Sequence, residues 1–437
     1  VSIATDDKPV TLRRAEGGRG AGGTHIQEIT SPGGIRAWLV EEYAVPIVAM
    51  DFAFRGGAAQ DPAGLAGASH VLAGTLDEGA GPYDADAFQE RLDEFAIDLS
   101  FSASRDSLGG RVKALTRHVD EAFRMLALAL NEARLAEDAV ARVQAQLSAG
   151  IRREMAEPGA VSSKAWIAAA FPGHPYGRPE RGDLASVAAI TRADLVARRQ
   201  ALLARSNLVV GVVGAISAAA LGPLLDSVFG GLPASASLTA VPRIAPAVAP
   251  APIVLDMDIP QTTIRFGRPA PLRSDPDFVA AVIVNHILGG GSFTSRLWQE
   301  VREKRGLAYS VSSQLQGLEH AGLLLGGTAT MNERAAESLA VIRAEIDQMR
   351  QNGPQPEELA KAKRYLIGSY ALRFDTSTKI AGQLVQLQLE GFGPDYIARR
   401  NGLFEAVTLE DAHAAAARML GDGSLLVAMA GRPVDVS

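Results

Sequence analysis

The residues of this sequence best suited to chemistry lie in one stretch. Ser292 to Ser313 reads SFTSRLWQEVREKRGLAYSVSS and follows three consecutive glycines, Gly289–Gly291. Within it Arg302 and Tyr309 stand seven positions apart. A guanidinium with a fork of N–H donors and a phenol with one hydroxyl make a clamp for carbonyl or carboxylate oxygens. For the two to act together, a helix must hand over to a strand through a tight turn. Leu297, Trp298 and Val301 recur at helical spacing, so Ser295 to Arg305 is expected to form a short amphipathic helix. Gly306 ends it, because glycine takes the left-handed conformation without a Cβ penalty. Arg302, Lys304 and Arg305 fall in the last turn, where the helix dipole favours cations. Beyond the turn, Tyr309 and Val311 are expected on one face of a strand and Ser310 and Ser312 on the other. The same pattern admits a second reading, with Arg302 a solvated helix-end cation lying along Trp298 and Tyr309 a half-buried strand aromatic.

The phrase REKRGLAYSVSS after a glycine-rich loop resembles the C-terminal-half signature of the insulinase/pitrilysin-type zinc metallopeptidases, the family that includes the mitochondrial processing peptidase. That resemblance implies that Arg302 and Tyr309 contact a peptide substrate and that Gly289, Gly290 and Gly291 face the substrate chamber. The loop FPGHPYGRPERG, Phe171 to Gly182, is similar to another family element; its Pro, Gly and Tyr pattern reads as a fixed turn, with His174 outside the chemistry.

The family also carries H-x-x-E-H in its first lobe: two histidines on one helix face bind zinc, the glutamate acts as general base, and a distant glutamate completes the ligand set. The matching stretch is GASHVLAGTLDEGAG, Gly67 to Gly81. His70 holds the first ligand position, but Ala73 and Gly74 stand where the base and second ligand belong. Neither can coordinate a metal or move a proton. Downstream, Ala149 and Gly150 fall on the family's two glutamates; Glu154 lies one turn further on and reads as a solvated helix face. No two of the seven histidines have local metal-ligand spacing. No catalytic residue and no metal ligand is therefore expected in this chain.

At 437 residues the chain exceeds one core and is expected to form two domains of about 200 residues. Its net charge of −6 and the lack of a basic cluster argue against nucleic acid. Cysteine is absent, which excludes thiolate catalysis, disulfides and Cys-based zinc sites. Neither a G-x-S-x-G elbow nor a phosphate-binding loop occurs. The charge-free stretch Leu208 to Leu225 is interrupted by Gly and Pro and reads as a buried strand and short helix, not a membrane span. The sequence starts at Val1, consistent with a removed export signal, so a periplasmic or otherwise exported protein is expected, with a cytoplasmic one the alternative.

Residues 1–26 are expected to be a flexible arm, 27–229 an N-terminal lobe with the degenerate zinc motif, 230–252 a Pro/Ala-rich semi-extended linker, and 253–437 a C-terminal lobe with the Arg/Tyr motif. Ile35–Glu41 and Ile47–Phe54 read as a hairpin-like pair. Two stretches recur. Thr191-Arg-Ala-Asp194 leading to Gly214 parallels Thr408-Leu-Glu-Asp411 leading to Gly431, and Phe88–Ser102 parallels Trp298–Ser312. Such matches of helix, turn and strand point to a duplicated domain. The expected fold is α+β: two homologous α/β-layer lobes, each a largely antiparallel sheet with helices on one face and the other face free to line a cavity, forming half of a clamshell chamber.

What this implies about function is a non-catalytic subunit of a heteromeric zinc metallopeptidase, inactive alone, that binds peptide for a zinc-bearing partner subunit of the same family. No cofactor is expected in this chain; the zinc belongs to the partner. The alternatives are a structural core subunit of a larger assembly without peptidase activity, or a zinc peptidase with an atypical site around His70, His118 and Glu154.

Overall fold

The structure is a computed structural model and describes residues 11–13 and 25–436. It contains two compact units: Val1–Ser148, Glu180–Ala240 and Ala371–Arg399 in the first, and Ala149–Pro179, Val241–Tyr370 and Arg400–Ser437 in the second. Each is built on one sheet. The first comprises β1 (Thr11–Arg13), β2 (Gln27–Thr30), β3 (Arg36–Glu41), β4 (Ile47–Arg55), β5 (Asp98–Ala103), β6 (Ser107–Leu115) and β7 (Leu208–Gly214), in the order β1-β2-β3-β7-β4-β6-β5. The second comprises β8 (Ile253–Asp256), β9 (Gln261–Pro269), β10 (Ala308–Gly317), β11 (Gly322–Met331) and β12 (Leu426–Gly431), in the order β10-β11-β9-β12-β8. The expected mixed α/β fold on two sheets is present.

The duplication read in the sequence reappears in the topology. β7 runs parallel to β3 and antiparallel to β4, as β12 runs parallel to β8 and antiparallel to β9. Each of these strands follows a helix opened by a capping box, Thr191 with Asp194 and Thr408 with Asp411, in which hydroxyl and carboxylate each accept a backbone N–H of the other residue. Each ends on a glycine at large positive φ, 147° at Gly214 and 144° at Gly431. A Cβ there would run into the carbonyl of Ile47 and into Thr262, respectively.

Three expectations need correcting. β3 and β4 are not a hairpin: β7 lies between them, a pairing set by residues far apart in sequence. Thr11–Arg13, inside the expected arm, pairs antiparallel with β2; of the rest of that arm only 25–26 are described. The second sheet face is not free along the central strands. In the first unit the helix Ser377–Leu389 packs on β4 and β7, so closely that Gly211 faces the carbonyl of Ala381 and Gly382 faces Asp51. In the second unit the helix Pro158–Ala170 packs on β9 and β12, with the Trp166 indole N–H donating to the Leu426 carbonyl at 2.8 Å and Arg265 Nε donating to Ser163 Oγ at 3.1 Å. Each sheet thus uses a helix from the sequence half that carries the other sheet. Outward-facing exposed residues remain on the lateral strands β5, β6 and β10.

The linker adopts neither helix nor strand but is hydrogen-bonded along its length. In the first unit Pro233 accepts from the Arg205 N–H, Ser237 donates to Ala201, and Thr239 exchanges two bonds with the Gln60 amide. In the second, the Ile244 N–H donates to His320 and the Ala247 N–H to Ala170. His174 anchors it: Nδ1 accepts from the Tyr176 N–H at 3.1 Å, which leaves Nε2 as donor to the Pro242 carbonyl at 3.0 Å. This turn is a packing device, as expected. Among the described residues no helix is long and apolar enough to cross a membrane.

Candidate functional site

The zinc-signature position lies on the helix Ala68–Thr75 of the first unit. Its N-terminus is held by a remote carboxylate: Asp61 accepts from the N–H groups of Gly67 and Ser69 and from Ser69 Oγ at 2.9, 3.0 and 2.6 Å. Arg198 neutralises that carboxylate, with Nε 3.5 Å from Oδ1, while its guanidinium donates to the carbonyls of Gln60, Gly56 and Gly57. Both side chains are buried, a stabilising arrangement only because the hydrogen bonds are complete. The helix serves as core: Val71, Leu72, Ala73 and Leu76 are all buried.

His70 keeps the first ligand position without a ligand set. Its Nε2 is 3.9 Å from Glu180 Oε1, beyond hydrogen-bond reach, and its buried Nδ1 has no partner. Burial above all, then the cations Arg181 and Arg105, pushes the imidazole down to about 4. Glu180 pairs instead with Arg105 at 3.3 Å. At the second ligand position a Cβ on Gly74 would meet Val143 Cγ1 at 2.9 Å, so the helix Glu137–Met155 occupies the space a second histidine needs. Glu154 forms an ion pair with Lys164 at 3.0 Å, and His118 packs edge-on against Phe95 at 5.1 Å. Among the described residues no group of three or more His, Cys, Asp or Glu is placed to hold a metal ion. The donors present do not fit zinc.

The Arg/Tyr motif lies in the second unit and is built differently from the sequence expectation. The segment Trp298–Glu303 is a π-helix and not an α-helix, and a second π-helical turn covers His286–Gly290. Such wide turns arise where one residue too many is accommodated in a helix and are frequent at functional sites. Gly306 ends the first, at φ +57°. β10 then carries a bulge: Ala308 is opposite Thr330 and Val311 opposite Thr328, so β10 spends one residue more than β11. The bulge breaks the expected alternation. Val311 is buried, whereas Tyr309 turns outward and is 85% exposed.

Arg302 and Tyr309 do come together. The Arg302 guanidinium lies 4.4 Å from the Trp298 ring centroid and 5.3 Å from that of Tyr309. Glu303 ties Arg302 to Trp298, accepting the Trp298 indole N–H at 3.0 Å and an Arg302 N–H at 3.4 Å through the same oxygen. The arginine lies on Trp298, as the second sequence reading has it, and also meets the tyrosine, which is exposed and not half-buried as that reading expects. The glycines divide in role. Gly289 is buried where a Cβ would collide with Ser313, a tight packing contact, while Gly290 and Gly291 approach Asn285 and His286 and keep some surface. Sequence reasoning missed Phe293, 65% exposed beside this cluster with its ring edge-on to Trp298 at 4.7 Å. An aromatic immediately after Gly-Gly-Gly-Ser, where a turn favours small polar residues, was the available signal.

Comparison with known proteins gives two successive family matches along the chain. Residues 39–183 match the family model described as insulinase (peptidase family M16), and residues 189–366 match the one described as peptidase M16 inactive domain. An uncharacterized zinc protease of Mycobacterium tuberculosis is 27% identical over 396 residues, covering 90% of each chain. The non-peptidase homolog YmxG of Helicobacter pylori is 25% identical over 337 residues, 77% of this chain and 78% of that one. Among solved structures, a peptidase M16 inactive domain from Pseudomonas fluorescens has a TM-score of 0.88 at 26% identity, covering 94% of this chain and 99% of that one. With a successive match to both halves of the family, and a fold shared with its inactive domain over nearly the full length, the chain belongs to peptidase family M16, the insulinase family.

Proposed function

We propose that this chain is the non-catalytic subunit of a heteromeric zinc metallopeptidase, and that it binds and positions peptides for hydrolysis by a zinc-bearing subunit of the same family. The observation that carries this reading is an asymmetry. The metal position has been filled in by core packing, with Ala73 buried and Gly74 against Val143, while Arg302 and Tyr309 remain together and accessible. The partner brings the H-x-x-E-H residues and the metal chemistry. This chain's guanidinium and phenol take carbonyl oxygens of an extended peptide and hold it in register, a positioning effect that can contribute several kcal/mol to catalysis.

Reconstitution tests it. The purified chain is mixed with a family member from the same source that carries an intact H-x-x-E-H, and peptide cleavage is followed for each component and for the mixture. The expected result is no turnover by this chain alone and turnover by the mixture above that of the partner alone. Turnover and stoichiometric zinc in this chain by itself would refute the proposal, as would a partner whose activity is indifferent to its presence.

A further inference from the structure

Four side chains form a continuous array in the second unit: Phe293, Trp298, Arg302 and Tyr309. The Trp298 indole is its floor. One end carries the Phe293 ring edge-on at 4.7 Å, and its face carries the Arg302 guanidinium at 4.4 Å, which in turn meets Tyr309. Trp298 is nearly buried, while Phe293 presents 65% of its surface to solvent. A large apolar ring left so exposed in isolation would need no explanation; this one is held in place by its surroundings.

The backbone under Phe293 is fixed from both sides. Gln299 Nε2 donates to the Phe293 carbonyl at 2.7 Å, Thr294 Oγ1 donates to Gly291 at 3.0 Å, and Ser295 Oγ and N–H both donate to the Ser292 carbonyl at 2.8 and 3.1 Å. Ser292 itself sits at φ +49°, a left-handed conformation that a non-glycine residue holds only where its surroundings impose it. A strained, hydrogen-bonded loop thus ends in a rigid exposed aromatic beside a hydrogen-bonding clamp.

The geometry points to Phe293 as a specificity-determining residue: it forms an apolar subsite that takes an aromatic or large aliphatic side chain of an extended peptide, next to the carbonyl held by Arg302. Because Phe293 and Arg302 reach the same indole, the selected side chain lies within a few residues of that carbonyl, an extended chain advancing about 3.3 Å per residue. An aromatic side chain stacked on Phe293 loses its hydration without losing a hydrogen bond. This inference rests on the peptide-binding reading of Arg302 and Tyr309 and adds the class of peptide selected.

The test uses the full-length chain and a set of peptides of equal length and charge, in which one Phe is walked through a Ser/Gly-rich sequence, with binding measured by titration calorimetry. One Phe position is expected to bind tighter than the others by roughly tenfold or more. Phe293→Ser flattens that profile and Phe293→Tyr keeps it. Arg302→Ala weakens every peptide to a similar degree. A peak that survives Phe293→Ser, or a wild-type profile without a peak, overturns the subsite while leaving the clamp in place. Affinities untouched by Arg302→Ala overturn the clamp itself, and a chain that binds no member of the set contradicts both.

Discussion

Phe88–Ser102 and Trp298–Ser312 are the same helix, turn and strand used for opposite ends. In the first unit the positions matching Arg302 and Tyr309 are Leu92 and Leu99, only 4% and 8% exposed. The first copy is regular: an α-helix from Ala85 to Glu94, a turn through Ala96, and a strand in unbroken register with β6 from Asp98 to Ala103. The second, equal in length, winds the matching stretch Trp298–Glu303 as a π-helix and bulges its strand against β11. Those two irregularities carry Tyr309 out of the core face and set the guanidinium beside it. An accessible Arg/Tyr pair stands where the first copy has packed leucines because the backbone takes a different local conformation over the same number of residues.

The contrast makes sharp predictions, the largest from exchanging the side chains. Leu92→Arg introduces a charge without a partner into the first core and is expected to cost about 4 kcal/mol or more in denaturant unfolding, while Arg302→Leu changes stability by less than about 1 kcal/mol. Equal costs at the two positions would break the comparison. Buried against open also distinguishes the degenerate metal position. His70 is held neutral down to about 4 by burial and the neighbouring Arg181 and Arg105, with Glu180 3.9 Å from its Nε2. An unfolded chain protonates it near pH 6.5, so its contribution is complete above that pH and is lost as pH falls towards 4. Between pH 7 and pH 5 the wild type should lose about 1–2 kcal/mol more unfolding free energy than His70→Gln. An identical pH dependence would show that the imidazole is not sequestered.

The smallest effect probes the turn shared by both copies. Ala96 at φ +50° and Gly306 at φ +57° occupy matching left-handed positions. Gly306→Ala is expected to destabilise by about 1 kcal/mol, and Ala96→Gly to stabilise by a few tenths, because relief of left-handed strain slightly exceeds the entropy glycine brings to the unfolded chain. Opposite signs would mean that the two turns are not equivalent.

What the sequence disclosed was whatever local chemistry determines. The stop at Gly306 depends on residues within one helical turn and formed as expected, and the repeat of Thr191-Arg-Ala-Asp194 in Thr408-Leu-Glu-Asp411 reappears as two capping boxes of the same local kind. That Ala73 and Gly74 offer no side-chain donor atoms was equally readable. Pairings between distant segments were not. The apolar face of Pro158–Ala170 says that the helix is covered, not that β9 and β12 cover it, and Ile35–Glu41 beside Ile47–Phe54 gives no hint that β7 enters between. β6 escaped notice because Gly109 and Gly110 interrupt its pattern; they are there because Phe52 and the β5 backbone approach too closely for a Cβ. Tyr309 was placed on the wrong face because one bulge residue reverses alternation, and no residue type announces a bulge reliably.

The measurement closest to the centre of this account is peptide turnover by the reconstituted pair, with the wild-type chain compared against Arg302→Ala after assembly has been verified by size-exclusion chromatography. The account predicts that the variant assembles as well as the wild type and that kcat/KM of the pair falls by tenfold or more, corresponding to the loss of about 1.4 kcal/mol of transition-state stabilisation. An assembled variant pair that cleaves peptide at the wild-type rate would contradict it.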